Sequence, residues 1–190
     1  MQESIAPSFS LRLGHRSPEC RRRPRDGSLD SRTATPLQGR IVSRRIILFL
    51  ASGAGLGHAP FASGTFGSLL GIVLYLAVLQ VTTSTIPTLV LLAIATVIAI
   101  AVAGRADALW QEHDSGKIVI DEIVGMAIAL VGFEPTWTNV LVIFVIFRVL
   151  DVVKLWPASY CDREMPGGAG VVLDDVVSGV YANVVARVLL

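Results

Sequence analysis

Charge is scarce in this 190-residue chain: Asp, Glu, Lys and Arg make up 16% of it, against about 25% in ordinary soluble domains. With 53% of residues hydrophobic, such a chain is not disordered along most of its length. Cysteine is scarcer still. Cys20 and Cys161 stand far apart, which excludes a disulfide framework and a cysteine zinc site and fits a reducing compartment. No fixed repeat is present, and no strand pattern is needed to explain the sequence. The reading is all-α, with one domain and a large core.

What charge there is falls unevenly. Residues 1–45 hold ten Arg and four acids, a balance of +6, whereas residues 46–190 hold four Arg and two Lys against eleven acids, a balance of −5. Residues 1–40 are rich in Arg, Ser, Pro and Gly, and Arg21-Arg22-Arg23-Pro24-Arg25 cannot join a core. They read as a disordered basic tail beside anionic lipid. A nucleic-acid arm would need a basic face on the body, and none is offered, so no nucleic-acid partner is expected. A chain beginning near Val42 is expected to keep insertion and activity, with Arg44 and Arg45 left to hold the first helix's start in the cytosol.

From Ile46 the composition turns apolar. Ile46–Ala51 runs into a break at Gly53, Gly55, Gly57, His58 and Pro60. Two uncharged runs follow, Gly67 to Val81 and Ile86 to Gly104, separated by Thr82-Thr83-Ser84-Thr85. The second is long enough to cross a hydrocarbon layer of about 30 Å at about 1.5 Å per residue. The pair reads as a helical hairpin in a membrane. The later apolar stretches, Ile123–Phe133, Val140–Phe147 and Val176–Leu190, are shorter or carry polar residues. They read as helices packed on neighbours or lining a polar cavity.

An apolar body with surplus acids needs a reason for keeping them. Asp121-Glu122 interrupt an otherwise apolar segment, where unpaired carboxylates are costly. Arg148, Asp151 and Lys154 recur three residues apart and share much of one helix face. Asp174-Asp175 follow the glycines of Gly167-Gly168-Ala169-Gly170. Each has a plain alternative: an intrahelical ion pair for the Arg–Asp–Lys face, a helix cap for Asp174 or Asp175. Together they form a hard-oxygen and cationic set, the donor chemistry of Mg²⁺ and phosphate. Competing phosphatase routes lack their residues. Gly167 stands where a Cys-x5-Arg loop from Cys161 would need Arg, no Asp-x-Asp occurs, no histidine follows His113, and Ser63–Ser68 has no Walker lysine. Metal-dependent attack by water is what remains. A small transport component would also bury acids, and a soluble Mg²⁺-dependent helical phosphatase for a small phosphomonoester would keep every motif.

Four segments in collinear order carry a specific likeness. They are Gly64-Thr65-Phe66-Gly67-Ser68; His113 to Met126; Phe147-Arg148-x-x-Asp151-x-x-Lys154-x-Trp156-Pro157 with Asp162-Arg163; and Gly167-Gly168-x-Gly170-Val171-x-x-Asp174-Asp175-x-x-x-Gly179. Residues 46–190 therefore resemble the phosphatidylglycerophosphatase A family, with Leu155 in place of the proline usual there. The resemblance implies Mg²⁺-dependent hydrolysis of phosphatidylglycerophosphate to phosphatidylglycerol and phosphate, with the site on the cytoplasmic side of a bacterial inner membrane. On this reading Asp121, Glu122, Asp174 and Asp175 hold Mg²⁺, and Asp151 is a further ligand or base. Arg148 and Lys154 hold the phosphomonoester of the phospholipid. Gly64, Thr65, Gly67 and Ser68, or Gly167, Gly168 and Gly170, offer backbone amides, and His113 or Asp114 shuttles protons.

Overall fold

The computed structural model describes residues 35–59, 62–110 and 116–190, with side chains described from Ser43 onward. Seven α-helices and no strand occur among them: α1 (Thr35–Ala51), α2 (Ser63–Val81), α3 (Thr85–Trp110), α4 (Ile120–Ala129), α5 (Trp137–Val153), α6 (Ala158–Glu164) and α7 (Gly168–Leu189). The basic tail up to residue 34 lies outside the described residues, and α1 begins within the stretch read as tail.

The expected apolar hairpin is α2 and α3, joined by residues 82–84. Both helices outrun their uncharged cores. α2 starts at Ser63, and α3 continues through Arg105 and Asp107 to Trp110. The two helices touch each other little and pack instead on α4, and α3 also on α7. Among the described residues, three helices are long and apolar enough to cross a membrane by length and composition: α2 with 19 residues, α3 with 26 and α7 with 22. The third differs from the sequence expectation. Counted from Val176 the last apolar stretch is too short to span, but the helix begins at Gly168 and takes in Asp174 and Asp175. Those acids are tolerated because both are buried against partner helices and do not face outward.

α4 is the centre of the assembly. It has ten residues, too few to span, and Asp121, Val124, Gly125, Met126, Ala127 and Ala129 are all buried. Glycine faces on either side let its neighbours approach to backbone distance. On α2, Gly67 and Gly71 meet it; a Cβ at Gly71 would stand 2.6 Å from the Ile123 carbonyl oxygen. On α7, Gly179 lies against the carbonyl oxygen of Gly125. Around this centre Tyr75, Leu92, Met126, Leu130, Ile143 and Phe147 form one apolar cluster. Small residues of α3 (Ala99, Ala103, Ala106) and Val171 and Val172 of α7 form a second.

Candidate active site

α4 and α7 run parallel at a constant offset. Asn183 bonds Ala129 across 54 positions, Gly179 touches Gly125 at the same offset, and Asp175 stands beside Asp121. Each acid lies one turn before its contact glycine, so it projects on the same face. Close approach of the two backbones therefore brings the carboxylates together. One oxygen each of Asp121, Glu122 and Asp175 lies within 4.8 Å of the others.

Among the described residues, nothing neutralises this cluster fully. Glu122 Oε2 and Asp175 Oδ2 are buried and accept no hydrogen bond. The Glu122 amide donates to Asp121 Oδ1 at 3.0 Å. Burial raises Asp121 well above the usual carboxylate range, and the adjacent charge of Glu122 adds to it. Burial raises Glu122 as well; its hydrogen bond with Asp121 opposes the rise and the charge of Asp151 adds to it. Buried, mutually repelling carboxylate oxygens with vacant lone pairs are the donor set of a hard divalent cation. Oxygens on opposite sides of one Mg²⁺ stand about 4 Å apart, so the cluster fits a metal ion held directly or through water.

Cationic groups flank the cluster in two separate arrangements. Arg148 donates from Nη1 to Asp151 Oδ2 at 2.7 Å. Its guanidinium also abuts Gly64: a Cβ there would lie 2.9 Å from both Arg148 terminal nitrogens and 2.5 Å from Glu122 Oε1. Gly64 at the start of α2 thus forms a wall where the cluster and the guanidinium meet. Lys154 lies elsewhere. It ends α5 in the left-handed region at φ 47° and donates to Asp162 Oδ1 and Asp174 Oδ2, both at 2.7 Å. Burial alone would lower its pKa, but the two carboxylates outweigh burial and hold the ammonium above the usual lysine range. This pairing ties α5, α6 and α7 together. It also places Asp174 with Lys154, apart from the three-carboxylate group, though Asp174 Oδ1 keeps no partner.

The glycines read as amide donors divide similarly. Gly64 lies at the cluster and Gly67 against Val119 and Glu122 of the α4 start. Ser68 is fully buried and donates from Oγ to the Gly64 carbonyl at 2.9 Å, while Thr65 is half-buried in the same turn. The Gly167–Gly170 segment is mostly helix. Gly167 alone precedes α7, at φ +65°, with open space around it. Gly168 lies against Ile100 and Gly104 of α3, and Gly170 against Met165. His113 and Asp114 lie outside the described residues. Sequence reasoning left out Gly71 and quoted Asp162, Gly125 and Gly179 in the motif segments without giving them a role; that of Asp162 needs α6 folded back on Lys154. The signal for Gly125 and Gly179 was a glycine four positions after an acid in both carboxylate segments.

Helices of membrane length thus pack around a buried carboxylate cluster with an arginine at its edge, a donor set suited to a divalent cation and a phosphate group. The family model described as phosphatidylglycerophosphatase A matches residues 49–190. Phosphatidylglycerophosphatase A of Escherichia coli K12 is 38% identical over 134 residues, covering 70% of this chain and 77% of that protein. The protein of the same name from Haemophilus influenzae is 34% identical over 140 residues, covering 73% and 85%. A Bacteroides thetaiotaomicron protein provisionally named a phosphatidylinositol-3-phosphatase is 33% identical over 148 residues, covering 74% and 91%. No solved structure matches. The chain belongs to the phosphatidylglycerophosphatase A family, whose members are phosphoric monoester hydrolases.

Proposed function

We propose that this chain hydrolyses the phosphomonoester of phosphatidylglycerophosphate to phosphatidylglycerol and phosphate, with Mg²⁺ held by Asp121, Glu122 and Asp175 and with Asp174 nearby. The observation that carries the reading is this buried cluster standing beside the Arg148–Asp151 pair. Bound there, Mg²⁺ supplies polarisation of the phosphoryl group and acidifies coordinated water. The chain's residues do the rest. Arg148, oriented by Asp151, grips two phosphoryl oxygens with its planar fork. Asp151 takes a proton from the attacking water; the bond from phosphorus to the glycerol oxygen breaks; that oxygen leaves with a proton returned by Asp151 or by the His113–Asp114 segment. Lys154, already held by two carboxylates, keeps α5 and α7 in place and adds positive potential for the phosphate. Gly64 leaves space where a side chain would fill the gap between Glu122 and Arg148.

A phospholipid substrate fits the surroundings. α5 carries exposed Trp137 at its start, and exposed Trp156 follows just past its end. Its 17 residues cover about 25 Å, so the two indoles mark two headgroup levels. Trp156 lies two residues from Lys154, which supports a phosphate site at one of those levels. Outside α1, Arg105 near the end of α3, Lys117 in the turn before α4, Arg148 and Lys154 toward the end of α5 and Arg163 in α6 lie toward that side, and Arg187 lies in the last turn of α7. Such a bias supports a cytoplasmic site in a bacterial inner membrane. The test is phosphate release by the purified chain in mixed micelles, with Mg²⁺ and with chelator, from phosphatidylglycerophosphate, phosphatidylinositol 3-phosphate and glycerol 3-phosphate. Mg²⁺-dependent release from the first alone is expected. Preference for the second reassigns the lipid, and equal turnover of glycerol 3-phosphate overturns a lipid enzyme.

A further inference from the structure

A polar cluster at the far end of α7 takes no part in the chemistry above. Asn183 Nδ2 donates to the carbonyl oxygens of Ala129 and Val131, at 2.9 and 2.8 Å. Arg187 Nη2 donates to Val131 at 3.0 Å, and its Nε to Asn183 Oδ1 at 2.9 Å. The guanidinium lies over the Phe133 ring, 5.1 Å from its centre, and fills the space beside Gly132, whose φ is +79°. We propose that Asn183 and Arg187 are positioning residues: they lock the axial register of α7 against α4 and so set the geometry of the Asp121–Glu122–Asp175 cluster about 12 Å away.

The argument begins at the glycine contact. Gly125 against Gly179 brings the helices together, but two glycines present no knob to stop one helix sliding along the other. Metal–ligand distances in a well-formed site keep within about 0.2 Å of their standard values, so the backbones that carry the ligands need a defined register. Something directional must therefore hold the register. α4 ends inside the bundle after ten residues; amides of the following turn serve the Met126 and Ile128 carbonyls, while the Ala129 and Val131 carbonyls take side-chain donors from α7. In apolar surroundings those carbonyls seek donors strongly. Asn183 bonds both, the first on the last residue of α4 and the second in the turn after it, and it sits two turns after Asp175 on the same face of α7. Arg187 continues the row one turn further, opposite Phe133 at the same 54-residue offset. Acid, glycine, amide and guanidinium on α7 thus meet acid, glycine and carbonyl on α4 and an aromatic ring in the turn that follows it. The polar rungs fix what the glycine rung leaves free.

Tyr75 supplies the control. It donates to the Phe133 carbonyl at 2.9 Å, so it ties the same end of the molecule, but to α2 and not to α7. The inference rests on the metal reading of the cluster. The experiment is Mn²⁺ titration followed by electron paramagnetic resonance, with melting temperatures, on the purified full chain in detergent. Asn183→Leu is expected to weaken Mn²⁺ binding at least tenfold. Arg187→Lys should weaken it less, because one donor remains. Tyr75→Phe should lower the melting temperature with Mn²⁺ affinity unchanged. If Asn183→Leu does not fold, Asn183→Gln, which keeps the amide one methylene further out, is expected to fold and bind Mn²⁺ more weakly. Parent affinity in the folded Asn183 variant and in Arg187→Lys, with lowered melting temperatures, would mean that the cluster stabilises without positioning. That result overturns this inference alone. A parent chain that binds no Mn²⁺ overturns the metal reading as well.

Discussion

Alanine at Gly64 should leave the protein folded and nearly stop it working. A Cβ there would lie 2.5 Å from Glu122 Oε1 and 2.9 Å from both terminal nitrogens of Arg148, whereas ordinary contact begins near 3.4 Å. The carboxylate must then retreat by about 0.9 Å and the guanidinium by about 0.5 Å. Both are the ends of flexible side chains, so the fold can absorb the change. Replacing glycine by alanine within a helix also contributes up to about 1 kcal/mol of propensity. The melting temperature is therefore expected to stay level or rise. Metal–ligand distances in a well-formed site keep within about 0.2 Å of their standard values, and disturbing the support of a ligand typically costs 10–100-fold in affinity or activity. Moving a ligand and the phosphate-binding group together should lower kcat by about a hundredfold, near 2.7 kcal/mol of barrier. Phosphate release and differential scanning calorimetry on the same sample separate the two effects. A Gly64→Ala variant with parent kcat would refute the placement of Glu122 and Arg148 at the reacting phosphate.

Other outcomes follow from the same geometry. Asp121→Asn and Asp175→Asn should each lower kcat at least about a hundredfold; near-parent turnover at saturating Mg²⁺ in a folded variant would remove that residue from the metal site. Arg148→Lys should impair turnover with charge retained, since the fork that grips two oxygens is lost, and unchanged kinetics and melting temperature would end its assignment to the phosphate. The pH dependence has a definite sign. Asp121 and Glu122 titrate higher folded than unfolded, so the metal-free protein is favoured below the ordinary carboxylate pKa and loses that stability as pH rises through the raised values. Divalent cation should cancel the loss, and chelator titrations of melting temperature against pH will read it. A metal-free protein that grows more stable over that rise would contradict the buried, unneutralised cluster.

Much of this molecule was legible in its residues because the relevant costs are local. Uncharged runs of membrane length dictate α2 and α3 wherever they pack, and a carboxylate placed among isoleucines and valines demands a partner in any fold. The four motif segments singled out Asp121, Glu122, Asp175, Arg148 and Gly64, and these do come together. How the charges divide was decided by tertiary structure. Sequence spacing puts Arg148, Asp151 and Lys154 on one helix face, yet Lys154 turns to Asp162 and Asp174 because α6 folds back beside it, and Arg148 stays with Asp151. The glycines before Asp174 look like a ligand loop in one dimension. In three dimensions Gly168 and Gly170 are helical residues crowded by α3 and the α6–α7 link, and only the close passage of other backbones reveals that use. Residue type thus determined which groups must be buried and which must be neutralised. Which acids meet depended on helix register, a property of two segments 54 residues apart that neither one specifies alone, and which acid Lys154 meets depended on how α6 and α7 pack beside α5.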